Sequence, residues 1–335
     1  MPTHSIPRPR RQNSRGTMNS DIEGGRLEGR VALVSGAGRG IGLAIAHSLA
    51  AQGARVVIAD NGGDISGQVA DPLVAESTAK EIGDNAVAFT GSIASAEGAR
   101  AAVACATENF GGLDILVNNA AILRDGFIFK SDPDDFRAVI ETNLCGAWYL
   151  ANAASPVMRA QAKDKRGGAP YDWGRIVNIT SSAGLYGNFG QSAYASAKSG
   201  MIGLTRVAAM DLGRAGITCN AIAPFAATRV TDMIVPANDE QAVYKERALK
   251  LSPEHVATAV VWLCQPESQS ITGQIFGVRG RELFLFSQPR PIATLSRDDR
   301  DWDVAGLIAA AADEFEANYT DLATDLESFN TDPQV

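Results

Sequence analysis

A glycine-rich segment at residues 35–42, SGAGRGIG, constrains the fold of this chain more than any other feature of its sequence. It follows an apolar run at 31–35 that predicts a buried strand, and a stretch with apolar residues at helical spacing follows it at 41–51. Glycines let the backbone turn sharply and approach a ligand closely. This order therefore predicts the start of a parallel sheet with a phosphate site at a helix N-terminus.

The alternation of strands and helices continues to about residue 280. Further strands are predicted at 55–60, 86–90, 113–119, 176–180, 217–223 and 274–278, with helices in most of the intervals. Such alternation requires helices on both faces of a parallel sheet. We therefore predict an α/β fold: a single doubly wound Rossmann-like domain with a seven-stranded, mostly parallel sheet. The interval from 224 to about Leu251 is predicted to be irregular.

Three parts of the chain are predicted from its composition. Residues 1–26 contain prolines and an arginine cluster but no apolar segment, and they are predicted to be a disordered N-terminal arm. Residues 27–280, which hold the alternating strands and helices, are predicted to form one domain that carries the phosphate site. Residues 281–335 form a C-terminal extension, whose amphipathic helix at about 303–318 could pack on the domain or on a second subunit.

Charge and cysteine usage exclude several classes of function. The net charge is −8 and the pI is near 5.0, which argues against a nucleic-acid partner. No apolar run approaches the ~20 residues of a membrane span. The four cysteines form no CxxC pair and the three histidines are scattered, which indicates reduced thiols in a cytoplasmic protein without a metal site.

The predicted cofactor site begins in the glycine-rich segment. Its candidate residues there are Gly36, Gly38, Arg39, Gly40 and Ile41. Asp60 ends the second strand, where a carboxylate can accept hydrogen bonds from ribose hydroxyls and repels a 2′-phosphate, so NAD is favoured over NADP. Arg39 leaves NADP open as an alternative, because a basic side chain in this loop can meet a 2′-phosphate.

A tyrosine and a lysine four residues apart form the candidate catalytic pair. Tyr194 and Lys198 lie on one face of a predicted helix at about 192–213. A neighbouring ammonium group is expected to lower the tyrosine pKa from about 10 and so to allow proton exchange. Ser181, at the end of the fifth strand, could hold a substrate oxygen. Asn143, an uncommon residue inside a helix, could hold a water that links Lys198 to solvent.

Taken in order, these motifs resemble those of the short-chain dehydrogenase/reductase family over residues 27–280. The resemblance implies hydride transfer between a nicotinamide and an alcohol or carbonyl carbon, with Tyr194 as the acid/base. The chain departs from the family at Ala121, where glycine is usual, and at Phe225. The resemblance also implies further cofactor contacts, some of them at strand ends: Ser92, Ile93, Asn119, Ala120 and Pro224.

Segments 59–64, 119–125 and 184–191 are similar to those in the dehydrogenase part of peroxisomal multifunctional enzymes of type 2 and their bacterial relatives. This similarity implies a (3R)-hydroxyacyl-CoA or a steroid-like substrate, and a homodimer or homotetramer. Two alternatives stay open: an NADPH-dependent reductase and a non-catalytic NAD sensor. Five basic residues in predicted loops could meet the CoA phosphates: Arg124, Lys130, Arg229, Lys245 and Arg247. Four large apolar or aromatic residues could line an apolar pocket: Tyr186, Phe189, Phe225 and Met233.

Overall fold

The sheet is the feature that positions every other part of the molecule. The computed structural model describes residues 25–168, 171, 173–227, 231, 238–298 and 300–335. Within them the strand order is β3-β2-β1-β4-β5-β6-β7-β8, parallel except for the antiparallel β7–β8 pair. The strands are β1 Val31–Ser35, β2 Arg55–Ala59, β3 Ala86–Phe89, β4 Ile115–Asn118, β5 Arg175–Ile179, β6 Thr218–Phe225, β7 Ile275–Arg279 and β8 Glu282–Leu285.

This arrangement confirms the doubly wound α/β fold and corrects the predicted count of seven strands to eight. The additional strand, β8, lies in residues assigned to the extension and pairs with β7 at the sheet edge. It is a short strand whose side chains alternate between partly buried and exposed positions. Its apolar residues 283–286 follow β7 after a two-residue turn and were assigned to the extension rather than to the sheet.

Helices cover both faces of the sheet. Asp239–Ala248 is helical, which corrects the prediction of an irregular stretch up to Leu251. The helices within the described residues are α1 Gly40–Ala51, α2 Leu73–Ile82, α3 Ala96–Phe110, α4 Pro133–Ile140, α5 Gly146–Lys163, α6 Ala183–Tyr186, α7 Ser192–Leu212, α8 Asp239–Ala248, α9 Pro253–Cys264, α10 Val304–Glu314 and α11 Asp325–Ser328.

The side chains of β1 show how one strand serves two cores. Ala32 and Val34 belong to a buried cluster that also contains residues of α1, α2 and α9. Val31 and Leu33 point to the opposite face and pack with residues of α3, α5 and α7. Since successive side chains alternate between the faces of a strand, an apolar run of this kind is stable only where both faces are covered.

The helix pair α4 and α5 is joined by a π-helical segment at Glu141–Cys145. Asp132 caps the start of α4, accepting a hydrogen bond of 2.8 Å from the Asp134 N–H, and Pro133 follows it. The π-helical segment places the Asn143 side chain in the protein interior, where the residue is 1% exposed. Asn143 is therefore a core residue and not a surface asparagine.

The C-terminal extension packs on the domain of its own chain. Its last segment, residues 324–335, is named the C-terminal strap here. The Arg281 N–H donates 2.7 Å to the Gln334 carbonyl, so the strap ends beside the β7–β8 turn. Residues 1–24 of the predicted N-terminal arm lie outside the described residues.

Candidate active site

The carboxyl ends of the parallel strands open into a cavity of about 700 Å³. This end of such a sheet is the general ligand site of doubly wound folds. Gly38 and Asn143, both predicted site residues, lie behind its lining. The structure brings the other predicted residues into that lining: Gly36, Arg39, Gly40, Ile41, Asp60, Ser92, Ile93, Asn119, Ala120, Ser181, Tyr194, Lys198 and Pro224.

The glycine turn between β1 and α1 leaves room only for the backbone. Gly36 has φ of +64°, and a Cβ there would lie 2.8 Å from Ala120 Cα. A Cβ on Gly38 would lie 2.3 Å from a methyl group of Val74. Helix α1 begins at Gly40, and within the described residues its cap residue, Arg39, makes no side-chain hydrogen bond to it. The first N–H groups of α1 thus fit the phosphates of a dinucleotide.

Asp60 connects the glycine turn to the loop after β2. Its Oδ2 accepts 2.8 Å from the Gly38 N–H, and its Oδ1 accepts 2.8 Å from the Gly62 N–H. Arg39 Nη1 donates to the carbonyls of Gly62 at 3.5 Å and Gly63 at 3.3 Å. A carboxylate at this end of the cavity suits ribose hydroxyls and repels a 2′-phosphate.

Ser35 is a supporting residue that the sequence analysis did not single out. Its Oγ accepts from the N–H groups of Asn119 at 3.0 Å and Ala120 at 3.1 Å. Asn119 Nδ2 in turn donates to the carbonyls of Ser35 at 2.9 Å and Gly36 at 3.0 Å. The turn after β4 is thereby held against the glycine turn. A polar residue at the end of an apolar strand was the available signal.

Tyr194 lines the same cavity as Asp60, with Ser181 beside it. Burial raises the pKa of Tyr194 to about 12, the Ser181 hydrogen bond lowers it, and the Asp125 carboxylate adds to the rise. The phenol is therefore protonated at neutral pH. Ser181 lies beside Tyr194, and its role in positioning a substrate oxygen stays a prediction.

Lys198 is 2% exposed and lies under the tyrosine. Its Nζ donates 2.7 Å to the Ile179 carbonyl and is 5.7 Å from the centroid of the Tyr194 ring. Burial lowers the pKa of Lys198 to about 8. The predicted lowering of the Tyr194 pKa by this ammonium is not seen: burial is the largest influence on that pKa and raises it.

Asn143 contacts the backbone of the segment that follows β4. Its Oδ1 accepts 2.8 Å from the Ile122 N–H, and its Nδ2 donates 2.9 Å to the Ile122 carbonyl. The amide is thus committed to the cavity wall, so it is a positioning group. A role in a water relay to Lys198 stays a prediction.

The C-terminal strap forms a wall of the cavity that the sequence did not predict. Asp325 Oδ2 accepts 2.5 Å from Ser182 Oγ, next to Ser181. The Phe329 ring lies 4.7 Å from that of Phe225 and 6.0 Å from that of Tyr186. Phe225 and Phe329 line the cavity, whereas Tyr186, also predicted to line an apolar pocket, is not part of the lining, and Phe189 is 81% exposed. Met233 lies outside the described residues.

The predicted basic residues do not form one cluster. Arg124 is turned to Asp135 and to the Ser66 carbonyl, both at 2.9 Å. Lys130 Nζ lies 5.7 Å from the Phe129 ring. Arg247 does line the cavity, Lys245 lies on α8, and Arg229 lies outside the described residues.

Comparison with known proteins agrees with this geometry. The profile of a family described as enoyl-(acyl carrier protein) reductase matches residues 36–280. Hydroxyacyl-CoA dehydrogenase ChsB1 of Mycobacterium tuberculosis is 39% identical over 291 residues, which are 86% of this chain and 89% of that protein. Peroxisomal multifunctional enzyme type 2 of Mus musculus is 38% identical over 253 residues, which are 76% of this chain and 32% of that protein.

Two solved structures share the fold. A short chain dehydrogenase from Mycobacterium avium is 37% identical with a TM-score of 0.72, over 86% of this chain and 95% of that chain. A 3-ketoacyl-(acyl-carrier-protein) reductase from Brucella melitensis, solved as a complex with NADH, is 28% identical with a TM-score of 0.66, over 75% of this chain and 97% of that chain.

Fold and cavity together define an oxidoreductase with a doubly wound sheet. The chain belongs to the short-chain dehydrogenase/reductase family, which confirms the resemblance found in its sequence. Among the described residues, no helix is long and apolar enough to cross a membrane.

Proposed function

We propose that this protein is an NAD(H)-dependent oxidoreductase that interconverts a (3R)-hydroxyacyl-CoA and the corresponding 3-oxoacyl-CoA. One observation carries the proposal. Ser181, Tyr194 and buried Lys198 line the same cavity as the glycine turn, and Lys198 Nζ lies against the face of the Tyr194 ring. A proton-transfer group and a dinucleotide site therefore share one enclosed space, as the transfer of a hydride and a proton requires.

The choice of NAD rests on Asp60, whose carboxylate lies at the end of the glycine turn. The NADH complex of the Brucella reductase supports the same cofactor in a related cavity. Bound NAD⁺ supplies the hydride acceptor, and the residues that would hold it are those of the glycine turn, Asp60, Asn119 and Ala120. A stronger preference for NADP⁺ in turnover would refute this choice.

In oxidation, the residues of this chain handle the proton and hold the substrate. The Ser181 hydroxyl binds the alcohol oxygen beside Tyr194. The phenolate form of Tyr194 accepts the hydroxyl proton while the carbon–hydrogen bond of that carbon breaks and its hydride leaves for the cofactor. The products are a ketone, NADH and one proton. Lys198, when protonated, stabilises the phenolate because its charge lies under the tyrosine.

The thioester substrate is supported by the relatives and by the shape of the cavity. The similar protein from Mycobacterium tuberculosis is described as a hydroxyacyl-CoA dehydrogenase. In this chain, the rings of Phe225 and Phe329 form an apolar wall beside Ser182 and Asp325. Such a wall suits an acyl chain or a steroid side chain.

Reduction of a 3-oxoacyl thioester is the second candidate, and the pKa of Tyr194 favours it. Burial raises that pKa to about 12, so the phenol carries the proton that a ketone oxygen needs. The same residues serve both directions. The ratio of the two rates, measured at neutral pH with NAD⁺ and with NADH, distinguishes them.

We also propose that the chain forms a homodimer or homotetramer through α5 and α7. Trp148 on α5 is 50% exposed and Met210 on α7 is 73% exposed, although large apolar side chains are usually buried. Sedimentation analysis checks the assembly. A monomer at micromolar concentration would contradict it.

The substrate test is NADH formation with a panel of (3R)-hydroxyacyl-CoA esters, a steroid-side-chain CoA thioester and 17β-hydroxysteroids. Preferential turnover of a CoA ester is expected. Turnover of free steroids alone would be consistent with the proposed mechanism but would refute a CoA thioester as the substrate. NADH binding without turnover of any alcohol would instead favour the sensor alternative.

A further inference from the structure

The C-terminal strap meets two arginines that line the same cavity as Tyr194. Arg247, on α8, donates from Nε to Asp332 Oδ1 at 2.8 Å and from Nη1 to Asn330 Oδ1 at 2.8 Å. Arg279, at the end of β7, donates to the hydroxyl and the carbonyl of Thr331. The guanidinium of Arg247 is thus occupied by a carboxylate and an amide oxygen of the chain's own C-terminus.

The contact between Arg247 and Asp332 joins a half-buried cation to an exposed anion. The side chain of Arg247 is 24% exposed, whereas that of Asp332 is 85% exposed. An exposed carboxylate in such a pair keeps most of its hydration and is screened by salt, so it is held weakly. A phosphate is a stronger partner for the same guanidinium, because it offers more acceptor oxygens and greater charge to the arginine fork.

Two other arginines near the cavity are less suited to an incoming anion. Arg124 is paired with Asp135 at 2.9 Å and is not part of the cavity lining. Arg279 has a side chain that is only 5% exposed and is paired with Glu282 at 3.1 Å. Of these three arginines, Arg247 alone both lines the cavity and pairs with a solvent-exposed anion.

We propose that Arg247 binds a phosphate group of the substrate, and that Asp332 occupies this site in the free protein. This inference rests on the proposed function, because it requires a thioester with a phosphorylated carrier. When the substrate binds, its phosphate replaces the Asp332 carboxylate as the partner of Arg247. Only the end of the strap has to move, since Phe329 is anchored by rings of the domain and Asp325 is anchored by Ser182.

The test compares KM for a CoA ester with KM for the matching pantetheine ester, which lacks the phosphates. Arg247→Ala is expected to raise the ratio of these KM values about tenfold, as for loss of one charge-assisted hydrogen bond. Asp332→Asn is expected to lower KM for the CoA ester about threefold, because the competing anion is gone. Lys250→Gln, which removes an exposed cation at the end of the same helix, is the matched control and should leave the ratio unchanged.

A calorimetric measurement of free CoA binding separates this proposal from the proposed function. Affinity for CoA should fall about tenfold in Arg247→Ala and partly recover in Arg247→Lys. If no thioester is turned over but CoA binding depends on Arg247, the thioester reaction is refuted and the anion site is supported. Equal CoA affinity in the wild type and Arg247→Ala, or no CoA binding by either, overturns the anion site. An equal rise in both KM values overturns it as well.

Discussion

The floor of the cavity (Ser181, Tyr194 and Lys198, with Asn143 behind them) and the C-terminal strap are held in place by different kinds of contact. Asn143 and Lys198 are almost fully buried, and their polar atoms bond to backbone groups of Ile122 and Ile179. The strap is held by the ring of Phe329 and by polar contacts in which its own residues Asn330, Thr331 and Asp332 are exposed to solvent.

This difference has consequences for energy and for function. A buried polar group that loses its partner costs far more than an exposed ion pair that opens. The floor is therefore expected to unfold only with the whole domain, whereas the strap can open locally at low cost. Chemistry is assigned to the floor, and recognition of the substrate's phosphate is assigned to the site that the strap covers.

The largest predicted effect is on the floor. Tyr194→Phe removes the proton-transfer group and is expected to lower kcat by about 10²–10⁴-fold. Binding of NADH, measured by fluorescence titration, should be retained because the glycine turn is untouched. Tyr319→Phe is the control, since Tyr319 is exposed in the extension. A Tyr194→Phe variant with wild-type kcat would show that the floor does not supply the proton-transfer group.

The second prediction concerns pH. Oxidation needs the Tyr194 phenolate, and its pKa of about 12 lies above neutral pH, so kcat/KM for oxidation should rise about tenfold per pH unit. Above about pH 8 the rise should flatten, because Lys198 then loses its charge. Ketone reduction needs the phenol and should change little over the same range. A rate of oxidation that falls between pH 6 and 8 would contradict this assignment.

The third prediction compares stability. Asn143→Ala leaves the Ile122 N–H and carbonyl without their partner in a buried region, and it is expected to lower the free energy of unfolding by about 2 kcal/mol. Urea denaturation measures the change. Asn330→Ala, in the strap, is the matched control and should change the free energy by less than about 0.5 kcal/mol. Equal losses would show that strap and floor unfold together.

The smallest predicted effect is at the strap's aromatic anchor. Phe329→Ala should expose the strap to limited proteolysis and raise KM for the thioester by roughly threefold. Since Phe329 is only partly buried, global stability should fall by about 1 kcal/mol or less. Unchanged cleavage would show that polar contacts alone hold the strap closed.

The floor could be predicted from the sequence because its signals are local. The glycine turn follows an apolar strand, and Tyr194 and Lys198 are one helical turn apart. The elements that were missed have weaker signals. Helix α8 has no buried residue and thus no apolar periodicity, and β8 is a short, partly exposed edge strand.

The strap could not be predicted, because its contacts join residues far apart in the sequence. Asp325 meets Ser182 across 143 positions, and Asp332 meets Arg247 across 85. No local pattern specifies such pairs. Likewise, Asn143 is unusual as an asparagine inside a helix, and this could be seen in the sequence. Its hydrogen bond to Ile122 could not, because it depends on the π-helical turn.

The most direct test of the account follows the hydride itself. The protein is incubated with NAD⁺ and a (3R)-hydroxyacyl-CoA that carries deuterium on the carbinol carbon, and the NADH is analysed by mass spectrometry. The account predicts that the deuterium is transferred to NADH in the wild type, and that Tyr194→Phe forms almost none. NADH without deuterium, or no NADH from this substrate, would contradict the proposal that this cavity oxidises a hydroxyacyl thioester.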